Sequence, residues 1–179
     1  NGEIKNQQGF VSVLQNLLSS AKPYPIDTNQ DVVIGVSDNR VFLREFTVPK
    51  YAGKDIEEAI NYQVRILLPV LPAGVETDWQ IIGRDTTDQI EVLLAALSKK
   101  IIDSYIEVCT IVGLNVVAIE PAVFANTRII DPEQLEGKNV LLVYVGDRFV
   151  TFSYITNGNP RFSDFLLDPK MQKGGDIIK

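Results

Sequence analysis

Residues 90–130, IEVLLAALSKKIIDSYIEVCTIVGLNVVAIEPAVFANTRII, carry the pattern that identifies the fold class of this chain. The apolar run at 90–97 is typical of a buried strand, and the amphipathic stretch at 99–112 predicts a helix. A second strand-like run at 115–119 leads into Pro121, a residue suited to the first turn of a further helix. Strand, helix, strand and helix in succession predict α/β layering.

The segments on either side extend this alternation in both directions. Before it, apolar periodicity predicts a helix at 10–21, strands at 31–36 and 41–48, a helix opened by Asp55, and a strand at 78–83. After it, residues 141–158 predict a β-hairpin, with a third strand near 161–165. The predicted order is therefore α, β, β, α, β, β, α, β, α, β, β, β.

The composition restricts the classes of function. The 179 residues include no histidine and one cysteine, Cys109. These counts exclude a Ser-His-Asp or Cys-His relay, a zinc site built on imidazole, and an internal disulfide. The net charge of −6 and the lack of a basic tract disfavour nucleic acid and anionic lipid as partners. No apolar run has the length that crosses a bilayer, so we expect membrane association only through a partner.

Four segments, in this order, resemble a known family. They are NGEIKN at 1–6, VVIGVSDNRVFLREFTVPK at 32–50, DIEEAINYQVRILLPVLPAGVETDWQIIG at 55–83, and the quoted segment at 90–130. Together they resemble the PilM family, the actin-like cytoplasmic component of type IV pilus machines. The division protein FtsA and the secretion protein GspL share that architecture.

The resemblance implies an α/β fold with an α+β insert: a partial actin-like (ribonuclease H-like) lobe carrying a small SHS2-like α/β subdomain. The implied division is 1–38 for the end of the first lobe, 39–115 for the insert, 116–136 for the return of the first lobe, and 137–179 for the start of the second. On this interpretation the chain is a fragment or an unusually short relative. Sheet edges left open in such a piece favour a homo-oligomer.

The resemblance also implies a function in binding. A PilM-like scaffold, peripheral to the inner membrane on its cytoplasmic side, grips a short cytoplasmic peptide of the membrane protein PilN between the first lobe and the insert. The peptide would be held by strand addition or by apolar pockets. The predicted partner-binding residues are Val36, Phe42, Phe46, Val48 and Phe124. Trp79 is interpreted as a core residue rather than a partner contact.

The hairpin at 141–158 raises an alternative, an FtsA-like ATPase that polymerises or switches with ATP. Hairpins of this kind hold nucleotide phosphates in actin-like ATPases, where an acidic residue usually ends the first strand. Tyr144 occupies that position here and is neutral near pH 7, so it cannot hold Mg²⁺. We therefore expect neither catalytic residues nor a cofactor in this chain, whereas ATP and Mg²⁺ are left open for a longer parent.

A remnant of a nucleotide site is assigned to two glycine-containing stretches. The first is Gly146, Asp147 and Arg148, where Arg148 is interpreted as a surface hairpin arginine rather than a phosphate contact. The second is Gly174-Gly175, which precedes an apolar start and resembles a backbone anion nest, although a flexible end is the default interpretation.

Overall fold

The computed structural model describes residues 3–50, 55–68, 74–84, 88–146 and 149–167. The strands are β1 (Asp31–Val36), β2 (Val41–Pro49), β3 (Val75–Arg84), β4 (Gln89–Ser98), β5 (Asn115–Pro121), β6 (Asn139–Val145), β7 (Phe149–Thr156) and β8 (Asn159–Leu167). The helices are α1 (Gln7–Ser19), α2 (Ile56–Leu67), α3 (Lys99–Val112), α4 (Ala122–Thr127) and α5 (Pro132–Leu135), with a 3-10 turn at Asp38–Arg40.

The observed order of elements matches the predicted order with one addition, α5. The sequence predicts one helix from Pro121 to about Ile130, but α4 ends at Thr127 and a separate short helix follows. Asp131 begins that helix, because its side chain accepts a hydrogen bond from the backbone N–H of Glu133 at 3.1 Å, and Pro132 occupies the first turn.

The first sheet consists of β1 and β5, which pair in parallel from Asp31 opposite Asn115 to Val36 opposite Pro121. Helices α1 and α3 pack against each other and against this sheet, and they share a buried cluster of Leu18, Cys109, Val112 and Leu114. Cys109 lies on the inward side of α3, as predicted, and burial raises the pKa of its thiol. A left-handed Gly113, with φ of 86°, ends α3.

The second sheet has the strand order β2-β4-β3, and each pair is antiparallel. Helix α2 packs on one face of it through a cluster formed by Val48, Ile60, Val64, Ile90, Val92 and Leu94. Asp55 precedes α2 as predicted, although its side chain makes no capping hydrogen bond. Alternate residues of β4, such as Leu93 and Ala95, lie on the opposite face of the sheet.

The third sheet is the predicted meander, in the order β6-β7-β8. Its inner face carries buried Thr151, Ser153 and Ile155, and β8 contacts β2, α4 and the 3-10 turn. Its outer face exposes large apolar side chains on all three strands, namely Leu141, Val143, Val145, Tyr154, Phe162 and Leu166.

The chain leaves the first sheet after β1, forms the second sheet and helices α2 and α3, and returns to the first sheet at β5. The sequence places residues 39–115 in the insert, and α3 falls within that range. In the structure α3 packs with α1 and β5, so this helix shares its buried cluster with the first sheet. The α/β class with an α+β second sheet agrees with the expected fold.

Candidate functional site

A groove separates the second sheet from the end of β5 and the start of α4. Two adjoining cavities of about 280 and 120 Å³ form it. They share the lining residues Asp78, Ala95, Ile119, Glu120 and Pro121. Together they reach the lower end of the volume range of small-ligand pockets.

One wall of the groove, the sheet wall, is the face of the second sheet opposite α2. Leu93, Ala95 and Leu97 point from β4 into the groove, because alternate strand residues share a face. Ala95 is small, and it lines both cavities.

The other wall, the α4 wall, is formed where β5 passes into α4. Ile119 and Pro121 line both cavities, and Phe124 extends the wall along the first turn of α4. Trp79 reaches the groove from β3, while part of its surface packs against the α2-side cluster. The tryptophan side chain therefore makes the predicted core contact on the α2 face, and its part of β3 lines the groove.

Two strand edges border the groove. The residues of β3 that line the groove are consecutive, at 76–80, and so are those of β5, at 118–121. If only side chains lined it, every second residue would be missing, because successive side chains of a strand point to opposite faces. Consecutive lining residues indicate that the backbone edge itself faces the groove. Among the described residues, β3 pairs only with β4 and β5 only with β1, so both of these edges have unpaired N–H and C=O groups.

The rim of the groove is predominantly acidic, with Glu76, Asp78 and Glu120 along it. The Lys99 ammonium lies 3.3 Å from the Glu76 carboxylate, and this hydrogen bond raises the pKa of Lys99. The Arg128 guanidinium donates to Glu120 at 2.9 Å, which raises the pKa of Arg128. The Asp78 carboxylate accepts a hydrogen bond from the Trp79 backbone N–H at 2.8 Å and pairs with no cation in the described part of the chain.

The five predicted partner-binding residues lie in three different places. Phe124 lines the groove. Phe42, Phe46 and Val48 lie on the α2 face of the second sheet, where Val48 is only 1% exposed and Phe46 packs on the buried cluster. Val36 is buried at the end of β1. Only Phe124 is thus brought to the groove, because the even-numbered residues of β2 face α2.

The sequence contains a signal for the groove residues of β4, which were not among the predicted partner contacts. The run 90–97 is apolar at nearly every position, whereas a strand covered on one face alternates with polar residues. Since α2 covers one face, apolar Leu93, Ala95 and Leu97 indicate that a second surface lies against the other. That second surface is the α4 wall.

The predicted nucleotide remnant is described only at Gly146, since Asp147, Arg148, Gly174 and Gly175 lie outside the described residues. The Gly146 N–H donates to the Phe149 carbonyl at 2.9 Å and closes the hairpin. The Phe149 ring covers Gly146, where an added Cβ would lie 3.0 Å from the ring, and stacks at 5.9 Å on Tyr144. No cluster of three or more metal-ligating side chains occurs in the part of the chain that is described. The remnant stays a prediction.

A larger cavity of about 660 Å³ lies between the α4–α5 connection and the β7–β8 turn. Its lining includes Ile130, Pro132 and Leu135 on one side and Asn157 and Gly158 on the other. By volume alone, this cavity would be the stronger candidate for a ligand site. The groove has the stronger features of a binding site, because unpaired backbone edges and an acidic rim converge on it.

Comparisons with known proteins place the chain in a family. The family described as type IV pilus assembly protein PilM matches residues 1–164. A solved PilM-PilN type IV pilus biogenesis complex is similar over 94% of this chain and 51% of that chain, with 20% identity and a TM-score of 0.74. The cytoplasmic domain of EpsL, an inner-membrane component of the type II secretion system of Vibrio cholerae, is similar over 90% and 58%, with 13% identity and a TM-score of 0.56. No curated protein matches the chain.

These similarities confirm the predicted fold class, a partial actin-like lobe with an insert. The chain spans about half the length of the PilM structure that it matches. None of the described helices combines the length and apolarity needed to span a bilayer. With a family match that extends over residues 1–164, this chain belongs to the PilM family of type IV pilus assembly proteins.

Proposed function

We propose that this chain is a non-enzymatic scaffold that binds a short cytoplasmic peptide of a PilN-like inner-membrane protein in the groove. The observation that carries the proposal is that two strand edges, of β3 and β5, pair with no further strand among the described residues and border one groove. The solved structure of a PilM-PilN complex supports the choice of partner. The chain would lie on the cytoplasmic side of the membrane and reach it through this partner.

Strand addition explains how a narrow groove holds a peptide. An extended segment that lies along β3 or β5 exchanges backbone hydrogen bonds with an edge that pairs with no other strand in the described part of the chain. Alternate side chains of the segment point toward Ala95, Ile119 and Phe124, where apolar groups lose contact with water. The backbone thus supplies affinity, and the apolar pockets supply specificity.

The proposal includes no ATP hydrolysis. Tyr144 offers no charged oxygen to Mg²⁺ at the end of β6, and its ring stacks on Phe149 beside the hairpin turn. A chain that works by binding needs no such site. The melting temperature with and without Mg-ATP tests this part separately, because a ligand of the native state raises the melting temperature. We expect no shift, and a clear rise would favour the ATPase alternative.

The experiment is a titration of the chain with a fluorescent synthetic peptide, the N-terminal cytoplasmic segment of a PilN-like protein, followed by anisotropy. Ala95→Leu fills the shared part of the groove and should abolish saturable binding. Ala95→Ser adds only one hydroxyl oxygen at the same position, so the groove stays open, and this variant should bind far more tightly than Ala95→Leu.

Two outcomes would contradict the proposal. The first is a folded wild-type chain that fails to bind the peptide. The second is unchanged binding by Ala95→Leu, which would place the peptide elsewhere on the surface. Circular dichroism of each variant shows that it is folded before the titration is interpreted.

A further inference from the structure

We infer that β8, which lies outside the groove, fixes the separation of the two groove walls, and that Arg161 and Asp38 are the positioning residues that do so. The inference about wall separation stands on the structure alone. Its consequence for peptide affinity rests on the proposed function.

The first link joins β8 to the sheet wall. The Arg161 guanidinium lies 2.7 Å from the Glu91 carboxylate on β4 and 3.2 Å from the Glu45 carboxylate on β2. The Arg161 side chain is only 14% exposed, so solvent screens this link less than it screens a surface ion pair. Glu91 lies two residues before Leu93 on the same face of β4, and Leu93 lines the groove.

The second link joins β8 to the α4 wall through Asp38 of the 3-10 turn. One carboxylate oxygen of Asp38 accepts a hydrogen bond from the Val123 backbone N–H at 3.0 Å, in the first turn of α4. The other oxygen accepts from the Ser163 hydroxyl of β8 at 3.2 Å. Ser163 also lies 3.0 Å from the Ser153 hydroxyl on β7, which ties this link into the third sheet. Val123 directly precedes Phe124 of the groove.

The two links begin two residues apart on one strand. Arg161 is the bulged residue of β8, because Ile155 pairs with Pro160 and Tyr154 with Phe162. From this strand Arg161 contacts the sheet wall and Ser163 contacts the α4 link through Asp38. The strand that carries both pairs with β7 on either side of Arg161, through Pro160 before it and through Phe162 and Ser163 after it, so its backbone is restrained. A rigid strand bonded to both walls restricts how far they can separate.

Polar links suit this role better than apolar contacts. Hydrogen bonds and ion pairs depend on direction and distance, whereas apolar packing tolerates sliding. Gly83 supports the first link, because a Cβ at that position would collide with the Glu91 carboxylate. Because one carboxylate makes both hydrogen bonds of the second link, the distance between β8 and the start of α4 can change little while the link is intact.

The test measures wall separation directly and needs no peptide. Spin labels are placed on cysteines introduced at Tyr62, an exposed residue of α2 that moves with the sheet wall, and at Ile129, which is 83% exposed just after α4. Buried Cys109 stays in place. Double electron–electron resonance then gives the distribution of distances between the labels.

Three variants and one control distinguish the loss of a link from a general loss of stability. Asp38→Ala removes the α4 link, and Asp38→Asn restores it, because an asparagine accepts from Val123 N–H and donates to the Ser163 hydroxyl. Arg161→Leu combined with Glu45→Gln and Glu91→Gln removes the sheet link without leaving carboxylates unpaired. Lys50→Gln breaks an exposed ion pair with Asp88 at 3.7 Å, away from the links, and serves as the control.

We expect a narrow distribution for the wild type, Asp38→Asn and Lys50→Gln, and a broader one for Asp38→Ala and the triple variant. Peptide affinity should fall about tenfold in the two broadened variants and recover in Asp38→Asn, in line with coupling through one packed network. If Asp38→Ala does not fold, Ser163→Ala removes the same link more gently and should broaden the distribution.

Unchanged distributions in folded variants would overturn the inference. A broadened distribution in a chain whose wild type binds no peptide would instead refute the proposed function and leave the inference intact. An equal loss of peptide affinity in Asp38→Ala and Asp38→Asn would also count against the inference, since only Asp38→Ala breaks the link between β8 and α4.

Discussion

The two faces of the second sheet are built from the same strands, yet one is closed and the other open. On the α2 face, Val92 and Leu94 of β4 are fully buried beneath α2. On the opposite face, Leu93 is buried, but its neighbour two positions on is Ala95, and a groove runs above it. Both faces are apolar, and the small side chain of Ala95 marks the face of the proposed binding site.

Under the proposed function, that difference separates residues that stabilise the fold from residues that would contact the peptide. A large apolar side chain on the α2 face has exchanged its contact with water for contact with α2. On the groove face, small Ala95 and partly exposed Phe124 leave apolar surface that a peptide can cover. Substitutions on the two faces should therefore change different measured quantities.

The largest effect is expected on the closed face. Ile60→Ala removes a side chain that is fully buried between α2 and the second sheet, and should lower the free energy of unfolding by about 3 kcal/mol because a cavity remains. Urea denaturation followed by circular dichroism measures it. The protein that remains folded should bind peptide with unchanged affinity. A loss below 1 kcal/mol, on the scale of a mere surface change, would show that this face is not close-packed.

A second comparison sets Phe124 of the groove against Phe42, which is 41% exposed on the α2 face. Phe124→Ala should weaken peptide binding by at least about tenfold, or about 1.4 kcal/mol, since it removes a central aromatic contact. Phe42→Ala should leave affinity within about twofold, because surface positions outside an interface contribute little. Anisotropy titration distinguishes them, and the reverse order of effects would move the binding site to the α2 face.

The next effect is small and depends on pH. Burial raises the pKa of Asp38 above 3.8, and the hydrogen bonds from Val123 and Ser163 only partly oppose this. The native state then binds the proton more tightly than the unfolded state, so stability falls as the pH rises from 3.8 through the folded-state pKa. Asp38→Asn does not titrate, so its stability relative to the wild type should increase over that interval and level off above it.

Urea denaturation of both proteins at a series of pH values checks this sign. The difference between the two proteins cancels the titration of all other groups. A relative stability of Asp38→Asn that decreases with rising pH would show that the hydrogen bonds, not burial, dominate at this carboxylate.

The smallest effect concerns the rim. Asp78 pairs with no cation among the described residues, so its charge is available to a basic side chain of a peptide. Asp78→Asn should weaken the binding of a peptide with a basic residue by a factor of about two to five, as for an exposed ion pair, and less at high salt. A peptide in which glutamine replaces that residue should bind both proteins equally. Unequal binding of the neutral peptide would assign Asp78 a structural role.

Much of the fold could be predicted because the signals are local. The helix at 99–112 with Gly113 as its cap, and the alternation of β2, follow from periods of 3.6 and 2 residues. The start of α1 was harder to predict. The sequence predicts a helix at 10–21, but the helix covers Gln7–Ser19, because the Asn6 side chain accepts a hydrogen bond from the Gly9 N–H and caps it. Capping by a residue outside the apolar pattern leaves no trace in that pattern.

The site was harder to predict because it forms between elements that are distant in the chain. Val36 and Val48 are apolar and were predicted as partner contacts, but their side chains are only 3% and 1% exposed and lie outside the groove. Ala95 and Ile119 approach each other only after β5 has joined β1. Periodicity identifies which residues share a face, and the pairing of strands determines which faces meet.

The parallel pairing of β1 with β5 bears on how the chain folds. Parallel neighbours cannot form through a tight turn, and here the second sheet, α2 and α3 all lie between the two strands in sequence. Closing such a long loop carries an entropic cost that falls if the β3–β4 hairpin and β2 have already collapsed into a compact unit. We therefore expect the insert to acquire protection from hydrogen exchange early in refolding, with β1, β5 and the groove beside β5 among the last parts to become protected.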